Sequence, residues 1–203
     1  MTRMWKWLVC EWQWPAAVLC AAFFLLSVLP PFAAFAGTAM ASVFVQLPIY
    51  MLHQAEEHLG DRFRRYVNDR IGGGREALTP AATFWVNSLG VWLVDLVGLY
   101  LAWIISPPAG LVAAYLTLLN GLVHIIQGVV LREYNPGLAT SVFLFAPVGG
   151  WCVWEVGLEH GLAAHCIGFG AALGVHAVVI AHVARRLVFL RQAAEPGDAA
   201  GSG

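Results

Sequence analysis

The fold is decided by one uncharged stretch, residues 12–55, which reads WQWPAAVLCAAFFLLSVLPPFAAFAGTAMASVFVQLPIYMLHQA and contains no Lys, Arg, Asp or Glu. A helix needs roughly 20 residues to cross the hydrocarbon core of a bilayer, so this stretch is long enough to cross twice. Pro30 and Pro31 interrupt helical hydrogen bonding, and we place the corner there. The stretch therefore predicts two membrane helices, near residues 9–29 and 33–57.

Composition indicates the same class of protein for the whole chain. Hydrophobic residues make up 60% of the sequence and charged residues 11%, and the mean hydropathy is +0.71. These values are typical of polytopic membrane proteins and exclude an ordinary soluble domain. A net charge of -1 offers no basic field for nucleic acid. The four cysteines form no CxxC pair, so we expect buried apolar side chains and no thiolate metal site.

Turn signals divide the rest of the chain into four further spans. Ser106-Pro107-Pro108 and Asn135-Pro136-Gly137 separate long apolar runs, which predict helices near residues 81–105, 109–131, 137–157 and 161–184. The sequence thus predicts an all-α, polytopic membrane helix bundle with about six transmembrane helices. We expect residues 1–191 to form a single transmembrane domain and residues 192–203, rich in Ala, Gly and Pro, to be a disordered tail.

The basic residues predict the orientation of these helices. With six spans, all 11 Lys and Arg residues fall on one side of the membrane. Cytoplasmic loops are enriched in Lys and Arg, so we expect an integral protein of the bacterial cytoplasmic membrane with both termini in the cytoplasm. One alternative stays open: Ala34-Phe35-Ala36 resembles a secretory cleavage site, and residues 1–36 could be removed as a signal.

Polar residues at one depth in several helices are the candidate functional site. His53, His124 and His176 each lie eight or nine residues before a cytoplasmic arginine, which places all three about 12–14 Å deep. Carboxylates accompany the first of them in His53-Gln54-Ala55-Glu56-Glu57, at the edge of the uncharged stretch. Histidine and carboxylate side chains on facing helices are the ligands of metal sites in helix bundles.

This pattern predicts a transition-metal centre, with iron favoured over zinc. The expected metal ligands are His53, Glu56, Glu57, His124 and His176, and Glu56 and Glu57 are also the expected catalytic groups. We expect three amides to orient the ligands or bind the cofactor: Asn87, Asn120 and Gln127. A histidine within a membrane can instead serve only to bond neighbouring helices.

The remaining polar residues are not expected to belong to the metal site. His58 follows the carboxylates directly, and we expect it at the membrane interface. Glu155, Glu159, His160 and His165 fall on the opposite side of the membrane, where we expect a solvated loop and a helix cap. Asp95 is the only deep charge in the third span.

Two blocks of the sequence carry a family resemblance. The first is His53-Gln54-Ala55-Glu56-Glu57, and the second is Asn120-Gly121-Leu122-Val123-His124 followed by Tyr134-Asn135-Pro136-Gly137-Leu138. In these blocks, within residues 45–185, the chain resembles the HXXEE-domain proteins, which are small bacterial membrane proteins. The resemblance implies a polytopic membrane protein with a metal or catalytic centre and leaves its reaction open.

The leading functional hypothesis is a membrane-embedded, metal-dependent enzyme, specifically a non-haem iron oxidoreductase acting on a membrane lipid or another apolar small molecule. A zinc-dependent hydrolase or transferase would use the same ligands, with a glutamate as general base. A non-enzymatic proton or ion relay, or an accessory membrane protein, is the third hypothesis. The oligomeric state is left open.

Overall fold

The computed structural model describes residues 2–157 and 162–194, and every regular element within these ranges is helical. The predicted all-α class is therefore confirmed. Ten α-helices follow one another: α1 (Arg3–Lys6), α2 (Trp14–Phe44), α3 (Gln46–His58), α4 (Arg62–Tyr66), α5 (Pro80–Asn87), α6 (Leu93–Ile104), α7 (Leu111–Leu131), α8 (Leu138–Thr140), α9 (Gly150–Gly157) and α10 (Leu162–Ala194).

Short stretches of other helical geometry join several of these helices. Wider π-helical turns continue α1, α4, α5 and α8 over Trp7–Glu11, Val67–Ile71, Ser88–Trp92 and Ser141–Gly149. Tighter 3₁₀ turns cover Leu59–Asp61 and Pro107–Gly110. Wide turns of this kind are frequently found at functional sites.

Five helical segments of the described chain are long and apolar enough to cross a membrane: Trp14–Ile71, Pro80–Ile104, Pro107–Leu131, Leu138–Gly157 and Leu162–Ala193. The first, at 58 residues, is far too long for one crossing. It folds back on itself, because Phe32 packs against Phe44 and Trp14 packs against His58, with ring centroids 4.7 and 4.9 Å apart. The protein is a polytopic membrane helix bundle.

The reversal of this first segment lies at Gly37 and not at the predicted Pro30-Pro31 corner. Gly37 has φ 84° and ψ 169°, a conformation that side-chain-bearing residues rarely adopt. Pro30 and Pro31 lie inside helical backbone instead. Proline is tolerated there because other groups in a membrane helix satisfy the carbonyls it leaves free. The second span consequently begins after Gly37 and not at residue 33.

Basic residues from distant parts of the chain collect at one end of the bundle. Arg64 Nη1 lies 3.2 Å from Glu76 Oε1, and Arg186 Nε donates to the Glu76 carbonyl oxygen at 3.3 Å. Arg70 pairs with Glu133 in the loop after α7 at 2.5 Å. We call this the basic end.

The helical bundle buries its core between α2, α3, α7, α9 and the π-helical turn Ser141–Gly149. Phe145, Leu111 and Leu116 are almost wholly buried there. Large apolar side chains on the outer surface are exposed, among them Phe143 at 75% and Ile167 at 73%. This arrangement is expected for a protein whose outer surface faces lipid.

The end of the chain differs from the prediction. Helix α10 continues to Ala194, so residues 192–194, expected to begin the disordered tail, are helical. The remaining tail residues lie outside the described residues, as do Glu159 and His160.

Candidate metal centre

Helix α3 places the two principal residues of the HXXEE motif on one buried face. His53 and Glu57 are four residues apart, about one helical turn, so their side chains stack along the helix. The Nε2 atom of His53 lies 3.5 Å from Oε1 of Glu57. His53 is fully buried and Glu57 is 5% exposed, so the carboxylate has little water with which to compensate its charge.

Helix α7 adds the third member of the group. His124 is buried, and its Nε2 atom lies 3.1 Å from the same Glu57 oxygen. One ligand atom from each of His53, Glu57 and His124 lies within 4.8 Å of the other two. Two imidazole nitrogens and a carboxylate oxygen at this separation could hold a metal ion. The structure therefore supports a metal site at His53, Glu57 and His124.

A side-chain amide fixes the orientation of the His124 ring. Asn135 Nδ2 donates to the carbonyl oxygen of His124 at 3.0 Å, so its Oδ1 atom must act as the acceptor towards the ring. That oxygen lies 2.7 Å from His124 Nδ1, which therefore carries the proton. Nε2 of His124 is left with a free lone pair directed at Glu57.

A hydroxyl and a carboxylate fix the His53 ring in the same way. Thr140 Oγ1 donates to Glu56 Oε2 at 2.5 Å, because an ionised carboxylate can only accept. The hydroxyl oxygen must then accept the proton of His53 Nδ1, at 2.7 Å. Metal-binding histidines commonly donate their second ring nitrogen in this manner, and both histidines of the group do so.

Glu56 has a different position from the one expected for a metal ligand. Its carboxylate accepts hydrogen bonds from the backbone N–H groups of Ala139 and Thr140 at 3.1 and 2.7 Å, and from the Tyr134 hydroxyl at 2.6 Å. The two backbone donors belong to the first turn of α8, where unpaired N–H groups favour a carboxylate. Glu56, predicted as a metal ligand, is therefore bound to α8 and Tyr134 and is not a member of the group of His53, Glu57 and His124.

The turn between α7 and α8 completes the site with its backbone. Gly137 has φ 104°, and a Cβ atom built there would lie 2.7 Å from Cε1 of both His53 and His124. Only glycine allows the main chain to approach both rings this closely. The segment Tyr134-Asn135-Pro136-Gly137-Leu138 thus supplies a partner for Glu56, a partner for His124 and a wall for the centre.

The three predicted amides have three different surroundings. Asn120 is at the site, where its Nδ2 atom lies 3.0 Å from Nε2 of His53, the nitrogen that faces the centre. Asn87 reaches it only through another residue, because its Nδ2 atom lies 3.1 Å from Nε2 of His58. Gln127 is half-buried and makes no hydrogen bond to the group among the described residues, so its expected role is not supported.

His58 is a member of the site that sequence reasoning placed at the interface. It is 6% exposed, and its Nε2 atom lies 3.4 Å from the second carboxylate oxygen of Glu57. The Trp14 ring covers its imidazole. The buried amides Gln54 and Asn87 could have suggested this position, because they form a polar chain on the same side, with Gln54 Nε2 donating to Asn87 Oδ1 at 2.8 Å.

His176 is not a member of the described metal-binding group, which corrects the three-histidine prediction. Its Nδ1 atom bonds to the Ala172 carbonyl oxygen of its own helix at 2.9 Å. Equal depth along a helix axis does not fix the direction of a side chain around that axis. His165, expected in a solvated loop, is half-buried between the Tyr115 hydroxyl and the Gly157 carbonyl, at 2.7 and 2.9 Å.

Aromatic rings separate the group from the membrane and from water. Phe145 lies 4.3 Å from the His53 ring, and Phe63 lies 5.7 Å from the His124 ring, measured between centroids. Fold and site together define a class: a polytopic membrane helix bundle with a buried cluster of two histidines and a glutamate.

Comparison with known families agrees with this class. The family described as "Protein of unknown function with HXXEE motif" matches residues 44–152, which is more than half of the chain and contains the whole cluster. The chain belongs to this HXXEE family. No curated protein and no solved structure matches it.

Proposed function

We propose that the protein is a membrane-embedded, metal-dependent oxidoreductase that uses non-haem iron. One observation carries this proposal: two imidazole Nε2 atoms and one carboxylate oxygen converge, each ring held by a hydrogen bond at Nδ1. Two histidines and one carboxylate are the ligand set of non-haem iron oxygenases. Bound iron would supply oxygen activation at its remaining coordination positions.

The surroundings of the cluster support iron over a zinc hydrolase. Zinc accepts the same His₂Glu ligands, but hydrolysis needs a general base beside the metal-bound water. Glu56 is the nearest candidate from the motif, and its carboxylate is already bonded to Ala139, Thr140 and Tyr134. A base with these contacts is poorly placed to accept a proton from water.

A proton relay across the bundle has less support. A relay requires a continuous chain of hydrogen-bonding groups. Asp95, the deep carboxylate of the third span, has no hydrogen-bond partner for either oxygen among the described residues. The polar groups are concentrated at the cluster and do not extend through Asp95.

The expected substrate is a lipid or another apolar small molecule. Phe145 packs against the His53 ring and Phe63 against the His124 ring, and these apolar surroundings favour an apolar substrate. We further propose that the protein lies in the bacterial cytoplasmic membrane with its basic end in the cytoplasm, because positive residues favour that side.

Elemental analysis of the purified protein tests the proposal. We expect iron near one equivalent in the wild type and its loss in Glu57→Gln and His124→Gln. His176→Gln is the matched control, because it removes a membrane histidine outside the cluster and should retain the metal. Zinc in place of iron would favour the hydrolase, and a wild type without metal would overturn the proposal.

A further inference from the structure

A long groove lies on the outer face of the bundle between α10 and the α5–α6 segment. Two adjoining cavities, of about 600 and 650 Å³, share Val178 and His182 as lining residues and so form one continuous groove. The upper part is apolar, with Trp85 and Leu89 on one wall and Val178 on the other. The lower part is lined by α10 alone, with Arg185 and Arg186 beside the apolar Ala181 and Phe189, and it opens at the basic end.

Two contacts join α10 to facing parts of the chain along the groove. At the upper end the helices touch, because a Cβ atom on Gly90 would lie 3.8 Å from Cγ1 of Val175. At the lower end Arg186 reaches the Glu76 carbonyl oxygen. The α10 residues that line the groove run from Gly174 to Phe189, and the helical rise from Gly174 to the first arginine, Arg185, is roughly 16 Å. This is about the thickness of one leaflet of the hydrocarbon core, which is half of about 30 Å.

Positive charge is concentrated at the lower end only. Arg185 and Arg186 line this part of the groove together with His182. The nearby Glu76 carboxylate is paired with Arg64 at 3.2 Å. Neither Arg185 nor Arg186 has a carboxylate partner among the described residues, so both guanidinium groups are available to an anion.

We propose that this groove binds one anionic phospholipid, with an acyl chain along the apolar part and its phosphate at Arg185 and Arg186. The groove combines a leaflet-length apolar channel with basic residues at the level of lipid headgroups, and basic pockets between membrane helices bind anionic headgroups in this way. The groove walls do not include the cluster of His53, Glu57 and His124, so the inference is independent of the proposed enzymatic function.

A second copy of the chain is the rival occupant. A symmetric dimer buries the same patch from both copies, so packing across this groove would bring two Arg185-Arg186 pairs together. Like charges brought together at an interface are unfavourable. The charge of the groove therefore favours an anionic lipid over self-association.

Native mass spectrometry of the full-length protein in detergent tests the proposal. The probes are phosphatidylglycerol, phosphatidylcholine with the same acyl chains, and soluble glycerol phosphate. We expect one phosphatidylglycerol per chain, bound about tenfold or more tightly than phosphatidylcholine, because each basic residue near an anionic surface adds to the attraction. Glycerol phosphate should bind far more weakly, because it lacks the acyl chains that fill the apolar part.

Two variant pairs locate the site. Arg185→Gln/Arg186→Gln should remove the preference for phosphatidylglycerol, whereas Lys6→Gln/Arg191→Gln changes the charge equally and should keep it. Val178→Trp should fill the groove and weaken binding of both phospholipids, whereas Ile180→Trp, outside the groove lining, should not. Equal affinity for the two phospholipids, unchanged binding in the Arg185 and Arg186 variant, or a dimer in place of a lipid adduct would overturn the proposal.

Discussion

The Nδ1 atom of His124 lies 2.7 Å from the Oδ1 atom of Asn135. His124 lies on α7, and Asn135 lies in the turn that follows that helix. The bond decides which nitrogen of His124 is free to bind a metal.

Replacing Asn135 by leucine should weaken metal binding about 10- to 100-fold without removing a ligand, because the His124 ring loses the group that fixes its tautomer and orientation. Competition with a chelator of known affinity measures this. Gln127→Leu makes the same kind of change on α7, away from the cluster, and should leave metal affinity unchanged. Equal losses in both variants would contradict the assigned role of Asn135.

Thr140→Val should also weaken metal binding, because the valine has a similar shape and lacks the hydroxyl that joins Glu56 to His53. Removal of a partner in this outer layer typically costs 10- to 100-fold in metal affinity. Thr117→Val is the matched control, because the buried Thr117 hydroxyl has no hydrogen-bond partner among the described residues. An unaffected Thr140→Val protein would show that His53 does not depend on this hydroxyl.

Gly137→Ala should disrupt the centre, because the new methyl group would lie 2.7 Å from carbon atoms of both imidazole rings. The positive φ angle adds strain, typically about 1 kcal/mol or more for a residue with a side chain. Metal content and the thermal unfolding midpoint should both fall. Gly170→Ala introduces the same methyl group where a Cβ atom meets nothing within 4 Å, and it should behave as wild type.

Tyr134→Phe should lower the free energy of unfolding by about 1 kcal/mol through the lost bond to Glu56. Partial burial of the hydroxyl and this bond raise the pKa of Tyr134 to about 12 from its ordinary value of 10. The contribution should therefore be constant below pH 10 and disappear as the pH rises from 10 towards 12. Unfolding measured from pH 7 to pH 11 checks this, with Tyr100→Phe as the exposed control. A difference from wild type that grows above pH 10 would contradict the bond.

Reporter fusions should place residues 62–75 and both termini on the cytoplasmic side of the membrane, because the basic residues lie at one end of the bundle. The informative positions are Gly73 and Gly203. Opposite signals from these two positions would contradict the orientation.

The fold could be predicted from the sequence because membrane helices follow from apolar length, and charge is excluded from their interiors. Sequence rules predict the corner of the first helix pair at Pro30-Pro31, because proline interrupts helical hydrogen bonding. The actual corner depends on a positive φ angle at Gly37, which is the one glycine in residues 12–55 and could have indicated this position.

The site could be predicted in part from the spacing of residues along the helices. Counting residues from the basic end gave the depth of His53 and His124, and the spacing of the motif placed Glu57 beside His53. The direction of a side chain around its helix axis depends on tertiary packing. The sequence therefore could not show that His176 lies outside the metal-binding group or that His58 lies beside Glu57. The surroundings of Glu56 could not be predicted in full, because two of its partners are backbone N–H groups, which leave no signal in residue identity.

The bonds to the α7–α8 turn also set an order for the assembly of the protein. Glu57 enters the bilayer with the second span, whereas His124 belongs to the fourth and Thr140 to the start of the fifth. During synthesis the glutamate therefore lies among apolar helices before its partners have left the ribosome. The HXXEE segment is inserted before its partners, and the group that could hold a metal, with its orienting bonds, is complete only after the chain has passed residue 140.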